Sequence, residues 1–175
     1  MIVATIVLAL VTLQRLGELV LARRNTRRLL SRGAQEVASR HYPLIVALHA
    51  AWLSGLWISV IAWSPDIEPS WPWLAVFAVL QGLRVWVIAT LGDRWTTRII
   101  VVPGAPLVRS GPYRFVAHPN YCIVMGEILV LPLAFGFVLY GIVFAVLNAG
   151  VLWVRIREED RALAALRSGA EAGVR

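Results

Sequence analysis

The sequence predicts an all-α, polytopic transmembrane helical bundle of about five spans, ending in a C-terminal helical hairpin. Three observations predict the bundle. Hydrophobic residues make up 59% of the 175-residue chain and charged residues only 15%, a balance far from that of soluble globular domains. The apolar residues fall in runs of about twenty, the length that crosses a hydrocarbon core of ~30 Å. The basic residues are all arginine and are grouped between those runs.

Seventeen basic against ten acidic residues give a formal net charge of +7. Arginines clustered at the ends of apolar segments suit loops beside anionic membrane lipid and argue against a nucleic-acid partner. The one cysteine, Cys122, excludes a disulfide framework within the chain, and with only three histidines no metal site is expected. A single domain, 1–175, is expected, with 1–92 as scaffold spans and 93–175 as the functional core.

The first run, 1–21, opens without basic residues and is followed by Arg23, Arg24, Arg27, Arg28 and Arg32. This polarity is opposite to that of a cleaved signal peptide and predicts a first span with its N-terminus outside. The second span is predicted over 41–63. The loop 64–70 carries Asp66, Glu68 and two prolines without positive charge, so it should face outward. The third span, 71–91, leads to a stretch with Arg94, Arg98, Arg109 and Arg114 on the inner side. Trp52, Trp57, Trp63, Trp71 and Trp73 read as headgroup-level aromatics.

The apolar run 121–154 is long for one crossing and barely enough for two, and Pro132 and Gly136 lie in its middle. A tight hairpin there brings the charged run 155–167 to the cytoplasmic side, for five spans. The alternative, four spans with one long bent helix, would place those arginines outside. The sequence has no internal repeat of the kind that builds transporters from duplicated halves.

Four charges fall inside the spans: Arg15, Glu18, Arg84 and Glu127. An ionised side chain facing lipid costs about 3 kcal/mol or more, so each should be paired or face a cavity. Arg15 and Glu18, three residues apart, are expected to pair. Glu127 is assigned to a substrate tunnel.

Residues 95–121 differ from the rest. Pro103, Gly104, Pro106, Gly111, Pro112 and Pro119 interrupt any helix there. Irregular backbone at a membrane surface tends to line a polar cavity. On residue type alone, plainer readings stand beside the functional one. Arg155 and Glu159, four apart, suit a helix-surface ion pair. His118, Tyr113 and Tyr121 suit an interfacial position, and Pro119 suits a helix start.

Taken together, Gly111-Pro112-Tyr113, His118-Pro119-Asn120-Tyr121 and the run from Arg155 through Glu159-Asp160 to Leu163 resemble the C-terminal signature of the isoprenylcysteine carboxyl methyltransferases. That signature reads G-x-Y, R-H-P-x-Y, a helical hairpin, and R-x-x-x-E-E-x-x-L. The sequence departs from it at Ala117, where the family usually has arginine, and at Asp160, where it has a second glutamate. Gln14-Arg15-Leu16-Gly17-Glu18, Gly33-Ala34-Gln35-Glu36 and His41-Tyr42-Pro43 are similar to a bacterial branch that includes methyltransferases of alkylpyrones and related lipids.

The resemblance implies S-adenosylmethionine as cofactor, held without a Rossmann sheet. The sequence agrees in having no strand followed by G-x-G-x-x-G. Carried over, cofactor contacts fall on Pro106, Leu107, Val108, Tyr113, His118, Pro119, Asn120, Tyr121 and Glu159, with Arg98 as a further candidate. Arg155 and Glu159 become the catalytic pair at a cytoplasmic cofactor pocket and Arg155 the substrate-facing residue, joined as a substrate-binding candidate by Glu127, which is chosen for its place inside a span close to His118–Tyr121. The implied acceptor is a lipidic small molecule, prenylcysteine-like or alkylpyrone-like, already anionic near neutral pH, so no strong general base is needed and a permanently charged Arg155 can orient it. Two other readings remain open at this level: an NADPH-dependent membrane reductase of the sterol-reductase type, and a non-catalytic membrane protein.

Overall fold

The computed structural model describes residues 2–37, 42–63 and 68–172. Among these residues five α-helices run in chain order: α1 Ile2–Ser31, α2 Tyr42–Trp63, α3 Trp71–Leu91, α4 Pro119–Ala134 and α5 Val138–Ala172. Short pieces lie between them: strands β1 Gln35–Val37 and β2 Ile99–Val101, and 3₁₀ turns at Gly92–Arg94 and Gly111–Arg114.

Among the described residues, α1, α2, α3 and α5 are each long and apolar enough to cross a membrane, and α4 is a shorter apolar helix. At 1.5 Å per residue, the 16 residues of α4 reach about 24 Å, just short of the hydrocarbon core. Two prolines set that length. Pro119 occupies the first position of α4, where its missing N–H costs nothing. Pro132 lies in the last turn, and the chain reverses immediately after it. Gly136 takes φ +82°, and the amide of Phe137 donates back to the carbonyl of Pro132 at 2.9 Å. The expected hairpin therefore forms between α4 and α5, which pack together. The all-α expectation holds for the bundle, which is that of an integral membrane protein.

Outside the helices, β1 and β2 pair antiparallel in the register Gln35↔Val101, Glu36↔Ile100, Val37↔Ile99. This ribbon was not foreseen, because three-residue strands have no readable alternation. It ties the segment after α1 to the irregular segment after α3.

The core unites α1, α2, α3 and α4 around Leu8, Trp52, Leu56, Phe77, Ile128 and Leu131. Trp52 is a correction to the sequence reading: it is 2% exposed and its indole N–H donates to the carbonyl of Ile128 at 3.2 Å. Trp57 likewise turns inward and donates to the Thr12 hydroxyl at 3.1 Å. Trp71 and Trp73 are exposed, as an interfacial position requires. The side chain of Trp63 and the loop residues 64–67 lie outside the described residues.

The intramembrane charges form one closed group. Arg84 donates from Nε and Nη2 to the two oxygens of Glu18, both at 2.6 Å, and from Nη1 to Glu127 at 2.9 Å. Arg15 reaches Glu18 at 2.9 Å and Glu127 at 2.8 Å. Gln14 and Gln81 add donors at 3.0 and 2.8 Å. Two cations and two anions cancel, which is how ionised groups persist in a low-dielectric interior. Arg15 and Glu18 pair as expected, and the group also clamps α1 to α3 and α4.

Candidate active site

The segment between α3 and α4 folds back over the end of the bundle because its glycines permit it. Gly111 has φ +56°, and a Cβ there would lie 2.5 Å from the Thr90 hydroxyl, so both backbone angle and space require glycine. The turn that follows puts Tyr113 beside α3 and leads to His118, which immediately precedes α4. The first turn of α4 then presents Asn120 and Tyr121. From the opposite side, α5 continues beyond its apolar part as one uninterrupted helix and delivers Arg155, Glu159 and Asp160.

These elements enclose a cavity of about 460 Å³, within the range of small-molecule sites. Of the residues singled out in the sequence, Arg98, Pro106, Leu107, Val108, Tyr113, His118, Asn120, Tyr121, Arg155 and Glu159 all line it. Pro119 does not; it is buried at the start of α4. Glu127 does not either: it is 2% exposed in the charge cluster, with both carboxylate oxygens accepting from Arg84, Arg15 and Gln81.

Tyr121 is the centre of the polar wall. Its hydroxyl accepts from Nε of Arg155 at 2.8 Å and donates to the carboxylate of Glu159 in a short hydrogen bond. Arg155 and Glu159 are thus joined through the phenol. Arg155 also donates from Nη2 to the carbonyl of Thr97 at 2.8 Å, and its guanidinium lies 5.6 Å from the Tyr121 ring centroid. The His118 ring stacks on Tyr121 with centroids 5.3 Å apart. It faces two carboxylates, Asp160 at 3.3 Å and Glu159 at 3.9 Å.

Tyr113 completes this wall. Burial, reinforced by the nearby Glu159 carboxylate, pushes its phenol up to about 12, so it stays neutral at physiological pH. Arg98 is held by Glu36, donating to both oxygens at 2.8 and 2.9 Å, and lies over the Tyr42 ring at 4.8 Å. Its hydrogen bonds to the Glu36 carboxylate hold the guanidinium pKa above the ordinary value. Arg98 thereby fixes the β1–β2 ribbon at the cavity edge.

Among the described residues, two fully buried side-chain atoms of the lining have no hydrogen-bond partner: Oδ1 of Asn120 and the indole N–H of Trp95. Sequence reading missed Trp95, the Thr97 carbonyl, Arg94, and also Leu29 and Leu91 from the scaffold helices. Arg94 donates to the carbonyl of Pro106 at 2.7 Å and braces the loop. Trp95 and Thr97 belong to the irregular segment 95–121, but no motif within it pointed to them. Leu29 had no signal, because only the packing of α1 decides which of its leucines turns inward.

Comparison with known proteins agrees with this layout. Residues 73–165 match the model of the isoprenylcysteine carboxyl methyltransferase (ICMT) family, a stretch that runs from α3 through the cavity to α5. The chain is 38% identical to the uncharacterized protein YpbQ of Bacillus subtilis (strain 168) over 161 residues, covering 90% of this chain and 95% of that protein. It is 25% identical to an uncharacterized protein of Haemophilus influenzae over 154 residues, covering 87% of this chain and 90% of the relative. No solved structure gives a significant match. With that match covering more than half of the chain, the chain is an integral membrane member of the isoprenylcysteine carboxyl methyltransferase family, a family of methyltransferases.

Proposed function

We propose that this protein transfers a methyl group from S-adenosylmethionine to an anionic oxygen, carboxylate or acidic hydroxyl, of a lipidic acceptor that enters from the bilayer. The observation that carries the reading is the convergence of the three motif segments on one cavity, where Tyr121 links Arg155 to Glu159.

The lining fits the cofactor in chemistry and size. Glu159 and Asp160 oppose its positive groups, Pro106, Leu107 and Val108 offer an apolar wall for adenine, and the unpartnered Oδ1 of Asn120 can accept from an amine or hydroxyl. When bound, S-adenosylmethionine supplies an electrophilic methyl group on a sulfonium, open to in-line displacement by an oxygen nucleophile.

The protein's own part is then positioning and electrostatics. Nε and Nη2 of Arg155 are committed to Tyr121 and Thr97, which fixes the guanidinium plane. Among the described contacts Nη1 has no protein partner, and it is the nitrogen left to hold the acceptor anion. His118 packs on the Tyr121 ring and keeps the phenol aligned. An acceptor that arrives ionised needs no proton removed. Ala117, also in the lining, gives up a charge and leaves room beside His118. The arginine grouping supports an outside N-terminus and a cytoplasmic site.

Calorimetry on the detergent-purified protein tests the cofactor, with S-adenosylmethionine and NADPH titrated separately. The expected result is binding of S-adenosylmethionine alone; binding of NADPH alone would move the protein to the reductase class. Methyl-labelled cofactor with a total lipid extract tests the transfer. Arg155→Gln should keep cofactor affinity within about threefold and lose about a hundredfold or more in transfer, the pattern of a lost acceptor contact.

A further inference from the structure

The arginine-bearing end of α1 has a surface that the transfer reaction does not use. With 30 residues, α1 is about 45 Å long and outruns the hydrocarbon core by about ten residues. Its inward face at this end is set by Ala22, Asn25 and Leu29, all buried. Asn25 donates to the carbonyls of Gly92 and Trp95 at 3.1 and 2.9 Å and locks that face against the bundle. At about 100° per residue, Val20 and Arg27 point the opposite way, with Arg23 and Arg24 on either side of them. Val20, Arg23, Arg24, Arg27 and Arg28 line an open groove. Of these arginines only Arg28 has a carboxylate near it among the described residues, Asp93 at 3.6 Å.

The same outward face continues down the helix with Leu16 and Leu13, which, like Val20, are more than half exposed. The strip is therefore amphiphilic along its length: aliphatic where α1 crosses the hydrocarbon, and tri-cationic where it enters the headgroup layer. We propose that it is a binding site for one anionic phospholipid, whose phosphate sits among Arg23, Arg24 and Arg27 and whose acyl chain lies on Val20, Leu16 and Leu13. Charge complementarity selects the headgroup, and the ordered sequence of aliphatic then cationic side chains selects an amphiphile over a free anion.

Native mass spectrometry of the full chain in detergent tests this, with dioleoyl-phosphatidylglycerol and dioleoyl-phosphatidylcholine titrated at equal chain composition. The first phosphatidylglycerol should bind about tenfold more tightly than phosphatidylcholine. That preference should vanish in R23Q/R24Q/R27Q and persist in a control that removes three other exposed arginines, R114Q/R157Q/R161Q. Where the triple variant does not insert, Arg27→Gln alone replaces it and should lose more than half of the preference. Equal binding of the two lipids, or the same loss in the control, overturns the site. Displacement of phosphatidylglycerol by millimolar inorganic phosphate would instead assign the arginines to a free anion and also overturns the proposal.

Discussion

Nε of Arg155 donates to the hydroxyl of Tyr121 at 2.8 Å, so the cation of the last helix is oriented by a phenol at the start of α4 and not by its own i+4 neighbour, Glu159. The phenol can serve both because it accepts from one side and donates to the other.

Tyr121→Phe keeps the stack on His118 and removes only this link. We expect kcat/KM to fall about ten- to a hundredfold, or ~1.4–2.7 kcal/mol of transition-state stabilisation. Steady-state methyl transfer with labelled cofactor measures it. Wild-type turnover in Tyr121→Phe would show that Arg155 needs no such support.

Glu127→Gln leaves two guanidinium groups, the buried one of Arg84 and the partly buried one of Arg15, facing the single carboxylate of Glu18. Loss of one partner from a buried ionic group costs about 3–5 kcal/mol, so thermal unfolding in detergent should occur at a clearly lower temperature. The folded variant also decides the tunnel assignment: an unchanged acceptor KM takes Glu127 off the substrate path.

Gly111→Ala forces a Cβ to within 2.5 Å of the Thr90 hydroxyl at φ +56° and disrupts the bond from that hydroxyl to the Trp86 carbonyl. Strained backbone of this kind costs about 1–3 kcal/mol. Cofactor affinity should drop, and Thr90→Ala in the same chain should restore part of it, because only the steric share is relieved. Absence of any rescue would locate the strain elsewhere.

The Tyr113 phenol, pushed up to about 12 in the fold from about 10 in the unfolded chain, makes a signed prediction. A raised pKa favours the neutral form in the native state, so its contribution to stability is intact below pH 10 and is lost as pH rises toward 12. Melting curves of wild type and Tyr113→Phe should run parallel up to about pH 10, and wild type should then decline more steeply.

Much of the site was legible because its residues carry recognisable chemistry. Prolines and glycines marked 95–121 as irregular, and the resemblance to the family's motifs singled out His118, Tyr121, Arg155 and Glu159, which line one cavity. Arg98 shows where reading stopped. Its partner, Glu36, is distant in sequence and reaches it only through the ribbon, whose register no local pattern announces. Arg155 and Glu159 show the same limit, since helical spacing brought them within reach of each other while the intervening Tyr121 came from another helix.

The sequence by itself determined that the chain is built of helices apolar enough to enter a membrane, and that the chain reverses after Pro132. These follow from solvent transfer and local backbone sterics, which act over neighbouring residues. Tertiary structure alone decided which polar side chains meet. It closed Arg15, Glu18, Arg84 and Glu127 into one neutral cluster, buried Trp52, and brought Leu29 and Leu91 to the cavity wall. Each of those outcomes depends on the rotation of one helix against another, and rotation is set by packing across the bundle.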